Sequence, residues 1–159
     1  MSESERQLAA ALGRVPSGLF VLTVRRGEAE TGMLASWVQQ CAFQPPHICI
    51  AVQRDRPIGA LLGDGSSFVV NILDDSQTDM IVHFGRGFDL KEEAFRGLEV
   101  ERPDGSAPVL SEALAYLECR VTGRHPVGDH DLFLGQVVGG RVLSGGHPMV
   151  HCRKSGFHY

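Results

Sequence analysis

The chain has 159 residues, 43% of them apolar and 21% charged, with a formal net charge of -4. That is enough apolar material for one sizeable core and too little length for two independent domains, so residues 1–159 read as a single domain. The densest basic cluster is Arg153-Lys154, and a mild net acidity without a concentrated basic surface argues against a nucleic-acid or anionic-membrane partner.

The polar, acidic opening from Met1 to Gln7 carries no apolar core of a secretory signal, and no run approaches the roughly 20 apolar residues that span a bilayer. A cytoplasmic location is expected. Cys41, Cys49, Cys119 and Cys152 lie far apart with no CxxC pair, which argues against a zinc site or a thioredoxin-type motif and for buried, reduced thiols.

In chain order, Ser2 followed by Glu5 has the form of a capping box, and Leu8, Leu12 and Val15 then repeat at helical spacing until Pro16, which predicts an opening helix with one apolar stripe. Gly18 to Val24 is rich in β-branched and aromatic residues; Arg25 to Glu28 breaks it as a hairpin turn, and the partner strand begins near Thr31 and runs to Ala35. Further strands are expected over Ile48–Val52, Phe68–Leu73, Tyr116–Thr122 and Leu132–Val138. Gly139-Gly140 then reads as a turn into Arg141–Leu143. Short helices are expected after Pro57, with Ile58, Leu61 and Leu62 inward, and around Met80, Ile81 and Phe84, capped by Asp75 or Ser76. The stretch from Arg86 to Ser106 is the most loop-like. Short strands joined by glycine-rich turns favour an antiparallel barrel over a doubly wound sheet, which needs a crossover helix after nearly every strand.

Neither GxGxxG nor GxxxxGK[ST] occurs, so no Rossmann or P-loop phosphate site is supported. The seven histidines show no ligand spacing with cysteines or carboxylates, and no metal is expected. Three segments carry candidate chemistry. Thr31 to Pro46 leaves a strand, passes small residues that admit a ligand to the backbone, and holds the only tryptophan, Trp37; a planar ligand could rest there against the N–H groups of Ala35 to Trp37, or Met33, Leu34, Trp37 and Phe43 could be ordinary core. Gly128-Asp129-His130-Asp131 places an imidazole at the mouth of a strand, where either aspartate could orient it, or it is a solvated loop residue. Val150 to Tyr159 crowds cations and aromatics that suit anion or dimer contacts, or is a frayed tail. Arg54 and Arg56 could grip a phosphate or lie idle on the surface.

Gly32-Met33-Leu34-Ala35-Ser36-Trp37-Val38 leading to Pro45-Pro46, Phe68 to Leu73, and Gly128-Asp129-His130, in that order, resemble the flavin reductase-like, FMN-binding split-barrel family. With Pro108-Val109-Leu110 the similarity spans nearly the whole chain, and the ending from His151 to Tyr159 is similar to the C-terminal flavin reductase domain of diflavin flavoproteins. The resemblance implies a mainly β fold, an antiparallel, Greek-key-like split β-barrel with short flanking helices, working as a homodimer. It implies non-covalent FMN, with FAD as the other choice, and NAD(P)H as substrate. By it, Leu34, Ala35, Ser36, Trp37, Gln40, Cys41 and Ala42 contact the flavin, Arg54 and Arg56 lie near its phosphate, His83 and Phe84 approach it from a helix, and His130 stands on the nicotinamide side. Relatives often carry hydroxyls at the positions of Leu34 and Ala42, and this chain has none there. Such an enzyme passes hydride from nicotinamide to flavin and electrons on to free flavin, ferric complexes, an oxygenase or a flavodiiron protein; the alternative is a flavoredoxin-like FMN electron carrier.

Overall fold

Helix α1 (Glu3–Gly13) opens on its capping box: the Ser2 hydroxyl accepts from the Glu5 N–H and the Glu5 carboxylate from the Ser2 N–H. In this computed structural model, which describes all residues from Met1 to Tyr159, the strands that follow are β1 (Ser17–Gly18), β2 (Phe20–Arg26), β3 (Ala29–Ala35), β4 (Val38–Phe43) and β5 (Pro46–Gln53). A 3-10 turn at Pro57–Ala60 leads to β6 (Ser67–Ile72) and helix α2 (Thr78–Gly85). The chain ends with β7 (Val100–Glu101), β8 (Val109–Leu110), the long hairpin β9 (Ala115–Val127) and β10 (His130–Val142), and β11 (Val150–His151).

Seven strands form one antiparallel sheet in the order β3-β2-β6-β9-β10-β5-β4, with small pairs β1-β11 and β7-β8 beside it. The architecture is mainly β, a split barrel. Period-2 alternation sorts side chains between two apolar clusters. Leu22, Val24, Ile50, Val52, Phe68, Cys119, Val121 and Phe133 fill the barrel. Val21 and Leu73 point outward into a second cluster with Met80 and Phe84 of α2 and with Phe88, Phe95 and Leu110. Both faces of β2 are therefore buried. The hydroxyl of Thr23, buried on the outer face, donates to the Pro108 carbonyl, and the Asn71 amide donates to the Val21 carbonyl at 3.0 Å while its oxygen accepts from the Leu110 N–H at 2.8 Å. The buried Thr23 and Asn71 side chains are thus matched where the irregular segment closes over the sheet.

Several expectations are corrected. Val38–Phe43 is a strand, and it is an edge. Gly139-Gly140 is no turn: β10 runs through both, opposite Glu118 and Leu117 of β9, with register shifts at Leu134/Gly135 and Val137/Gly139. A Cβ on Gly140 would lie 2.6 Å from the Tyr116 carbonyl oxygen, so the glycine admits a close strand approach rather than reversing the chain. The stripe of Leu8, Leu12 and Val15 is exposed; α1 packs instead through Ala9 and Gly13, whose carbonyls accept from the N–H groups of Gly156 and Arg153. Neither Asp75 nor Ser76 caps α2. The Ser76 hydroxyl goes to Asp74 at 2.6 Å, and the helix starts after Gln77. The Arg86–Ser106 stretch is irregular yet anchored by buried Phe88, Ala94 and Phe95. Among the thiols only Cys119 is fully buried; Cys49 is half-buried, Cys41 and Cys152 are exposed, and all four are free. Burial, with the nearby Glu118 charge, pushes the Cys119 thiol up to about 12, which leaves it inert. No helix is long and apolar enough to cross a membrane.

The Phe68 ring sits on the backbone of Gly135. A Cβ there would meet its Cζ at 2.3 Å, and the ring is fully buried with no space to withdraw. Gly135→Ala is therefore expected to destabilise the fold by about 1–3 kcal/mol, the usual cost of overpacking, read as a lowered midpoint in chemical denaturation; an unchanged midpoint would contradict this account of the barrel interior.

Candidate functional site

The two edges of the seven-stranded sheet, β3 and β4, are consecutive in sequence. The chain crosses the barrel's split on Ser36 and Trp37, held by a bond from the Ala51 N–H to the Trp37 carbonyl at 3.0 Å. A cavity of about 380 Å³ opens at this crossing. Its apolar wall comes from Met33, Leu34 and Ala35 of β3, from Trp37, and from Ile81 and Phe84 of α2; Ser36, Gln53, Arg56, His151 and Tyr159 supply polar groups. Gly32, by contrast, does not admit a ligand. A Cβ there would lie 2.8 Å from the Phe84 ring, so its bareness seats Phe84, and Phe84 in turn forms the floor.

Of the two arginines after β5, only Arg56 lines the cavity. Arg54 reaches instead to Asp131 at 3.2 Å and to the His130 carbonyl at 3.4 Å. The other oxygen of Asp131 accepts from Arg124 at 2.5 Å. The Asp131 side chain is only 6% exposed, and these two guanidiniums, the Arg124 hydrogen bond first, hold its carboxyl below the usual range. Asp131 therefore fixes the start of β10 and leaves the imidazole to its neighbour.

His130 is buried rather than solvated in a loop. Its Nδ1 lies 2.7 Å from an Asp129 oxygen and its Nε2 2.6 Å from the Tyr159 hydroxyl. A carboxylate only accepts, so Nδ1 carries a proton, and whenever the ring is uncharged Nε2 accepts from the phenol. This contact with His130 is also what chiefly lowers the Asp129 carboxyl from its ordinary value. Trp37 packs on the imidazole with ring centroids 4.9 Å apart, and the Arg153 guanidinium lies 4.8 Å above the Trp37 ring. A second, polar cavity of about 450 Å³ is bounded here by Gln53, Asp129, His130, Arg153 and His158. It shares Trp37, Gln53 and Tyr159 with the first.

The structure thus brings together Leu34, Ala35, Ser36, Trp37, Arg56 and Phe84 at one cavity, with His130 at its neighbour. It keeps other expected residues away. Gln40 and Cys41 are exposed on β4, with Ala42 half-buried, and a register shift falls between Gln40 and Ala42; the Cys41 thiol neighbours that of Cys49, which burial first and Cys41 second push up. The ring of His83 bonds the Ala94 carbonyl at 2.7 Å and packs on Phe88, facing away from the cavity. Gln53, His151 and Tyr159 were not foreseen as walls. The crowding of cations and aromatics after Val150 was the signal for the last two.

Residues 12–158 match the family described as the flavin reductase-like domain. Diflavin flavoprotein A 1 of Synechocystis sp. is 39% identical over 157 residues, covering 98% of this chain and 27% of the relative. A putative diflavin flavoprotein A 3 of the same organism is 42% identical over 159 residues, covering 99% and 26%. The chain spans about a quarter of the length of these curated relatives. Among solved structures, an NADH:FAD oxidoreductase of Streptomyces globisporus aligns with a TM-score of 0.85 at 26% identity, over 96% of this chain and 91% of that one. The same enzyme in complex with NAD and FAD fragments gives 0.82 at 27% identity, again over 96% and 91%.

Asp131 carries a pH prediction. Its carboxyl is lowered on folding, so its stabilisation is present above the unfolded-state value of about 3.9 and is lost as pH falls through the lower folded value. In acid titrations of stability, Asp131→Asn is expected to be less stable than the parent at neutral pH, with the gap closing below about pH 4. A gap of constant size across that window would contradict the ion pairing.

Proposed function

The chain belongs to the flavin reductase-like domain family, and from that premise we propose that it is an NAD(P)H-dependent flavin reductase that binds FMN at the barrel's split. The observation that carries this reading is the pair of adjoining cavities: one walled by apolar side chains with Arg56 on its rim, the other polar and centred on His130. The residues present fit a flavin. A planar apolar ring matches Leu34, Trp37 and Phe84; Ser36 offers a hydroxyl in place of those absent at Leu34 and Ala42; and Arg56, which makes no ion pair in the chain, is free for a phosphate. The one guanidinium on the apolar cavity, Arg56, suits the single phosphate of FMN. When bound, the flavin supplies two-electron chemistry, taking a hydride from nicotinamide and passing the electrons on.

The protein's part is to orient. Trp37 and Phe84 fix the plane of a ring, Arg56 anchors its tail, and Asp129 holds His130 in one tautomer beside the adjoining space where a nicotinamide would lie. A homodimer is part of the proposal. Edge strand β4 presents an 89% exposed Phe43, and Gln40, Cys41 and Ala42 beside it would meet a flavin only across a subunit boundary. Four free thiols suit a reducing cytoplasm. The electron acceptor is free flavin, a ferric complex, or a partner such as an oxygenase or a flavodiiron protein. The similarity to a quarter of the diflavin flavoproteins supports the last. One observation favours a second reading, a flavoredoxin-like carrier slow with nicotinamide: the free edge of His130 is already taken by Tyr159.

Titration with FMN and FAD, then anaerobic mixing with NADH or NADPH, tests the proposal. Uptake of FMN and rapid bleaching are expected; protein that takes up neither flavin sinks both readings, and uptake without rapid bleaching selects the carrier. Arg56→Ala is expected to weaken FMN binding about 10- to 100-fold, as loss of a charge-assisted hydrogen bond does. His130→Ala is expected to slow flavin reduction about tenfold or more while changing FMN affinity less than about twofold; equal losses in both would place His130 on the flavin side.

A further inference from the structure

The two cavities meet at Tyr159, which lines both. Its ring lies 5.4 Å from Trp37 and 6.0 Å from His130, centroid to centroid, and its hydroxyl caps the His130 Nε2. A flat six-membered ring with a hydrogen-bonding edge is thus already held where the polar cavity opens onto the apolar one. Hydride transfer requires donor and acceptor carbons and nitrogens in contact, about 3–3.5 Å apart, with nothing between them. Tyr159, with Trp37 and Gln53, belongs to the wall common to both cavities, where that contact would form.

We propose that Tyr159 controls access of the nicotinamide: its ring keeps the place beside Trp37 and His130 that a nicotinamide ring takes, and a dinucleotide must displace it to react. The inference rests on the flavin reductase reading above. The attachment of the segment shows how displacement is possible. Arg153 and Gly156 are pinned to α1 by bonds of 3.1 and 2.6 Å to the Gly13 and Ala9 carbonyls. Gly156 fits only because it has no side chain, since a Cβ would lie 2.0 Å from that of Leu12. Only Phe157 and His158 separate this pin from Tyr159, which is 64% exposed. Its hold is one hydrogen bond and two tilted ring contacts, strong enough to bias the site and weak enough to yield. The phenol keeps its proton: burial raises its pKa, opposed by Arg56 and Arg153. Once Tyr159 moves, the apolar and polar cavities become continuous, and a ring against Trp37 can touch one against His130. The vacated Nε2 is then free to accept from a carboxamide N–H.

A site whose competent form is populated about one time in ten shows an apparent affinity lowered about tenfold. Tyr159→Ala is therefore expected to lower the KM for NADH about five- to tenfold with kcat within about twofold, and Tyr159→Phe, which keeps the ring but loses the bond, to lower it about two- to threefold. A readout independent of turnover uses the fact that the chain has only two tyrosines, Tyr116 and Tyr159. In FMN-loaded protein labelled with 3-fluorotyrosine and assigned with Tyr116→Phe, unreactive NAD+ or NADP+ is expected to move the Tyr159 fluorine signal to its solvent position and leave the Tyr116 signal unmoved. A Tyr159 signal unmoved at saturating dinucleotide, or a Tyr159→Ala variant with raised KM, overturns the proposal while leaving the reductase reading intact. Failure of the parent protein to take up flavin takes both down.

Discussion

The ring of Phe68 rests on the bare backbone of Gly135, and this contact links the interior of the barrel to its mouth. Phe68 belongs to β6 and Gly135 to β10, the two strands that flank β9, so the contact reaches across one intervening strand on the inner face. It requires the small residue and a shift of register beside it, between Leu134 and Gly135. Five residues upstream on the same strand stands His130, paired with Gln53 of β5 and Val127 of β9. The imidazole is held where it is because β10 can take only one position against the core.

The site exists because the barrel does not close. The two edges of the sheet are joined by a two-residue link yet do not pair with each other, which leaves a gap, and unpaired edges have to be covered or used. Here Ser36 and Trp37 cross the gap, α2 covers the β3 side through Phe84 on Gly32, and β4 remains open with Phe43 in water. The apolar cavity is what remains between the link and the helix. Its polar neighbour arises from the β9–β10 end and the segment after β11, which is tied back on α1. Two compartments of different chemistry, one apolar and one polar, thus adjoin along Trp37, Gln53 and Tyr159.

Much of this was legible in the sequence, for physical reasons. The alternation of Leu117, Cys119 and Val121 with Glu118, Arg120 and Thr122 follows from a strand with one core face. The capping box of Ser2 and Glu5 is a local interaction, and local interactions survive translation into structure. Leu34 to Trp37 was legible because small residues, a lone tryptophan and a following proline pair coincide. What failed depends on distant partners. Nothing near Arg54 and Arg56 says that the first is taken by Asp131, which lies 77 positions on. Gln40 to Ala42 could not be assigned without knowing that β4 is an edge. The stripe of α1 was a correct pattern with the wrong face inward, because Gly156 and Arg153 dock on the small residues Ala9 and Gly13. Glycines misled twice: Gly139-Gly140 and Gly32 serve close packing of backbone and ring, and periodicity cannot tell that use from a turn or a ligand seat.

A crystal structure of the protein grown with FMN tests the central claim most directly. The account predicts the isoalloxazine within van der Waals contact of Leu34 and Trp37, over Phe84, with its phosphate within hydrogen-bonding distance of the Arg56 guanidinium. Flavin bound elsewhere, with Trp37 and Phe84 packed together across the split and Arg56 turned to solvent, would contradict it.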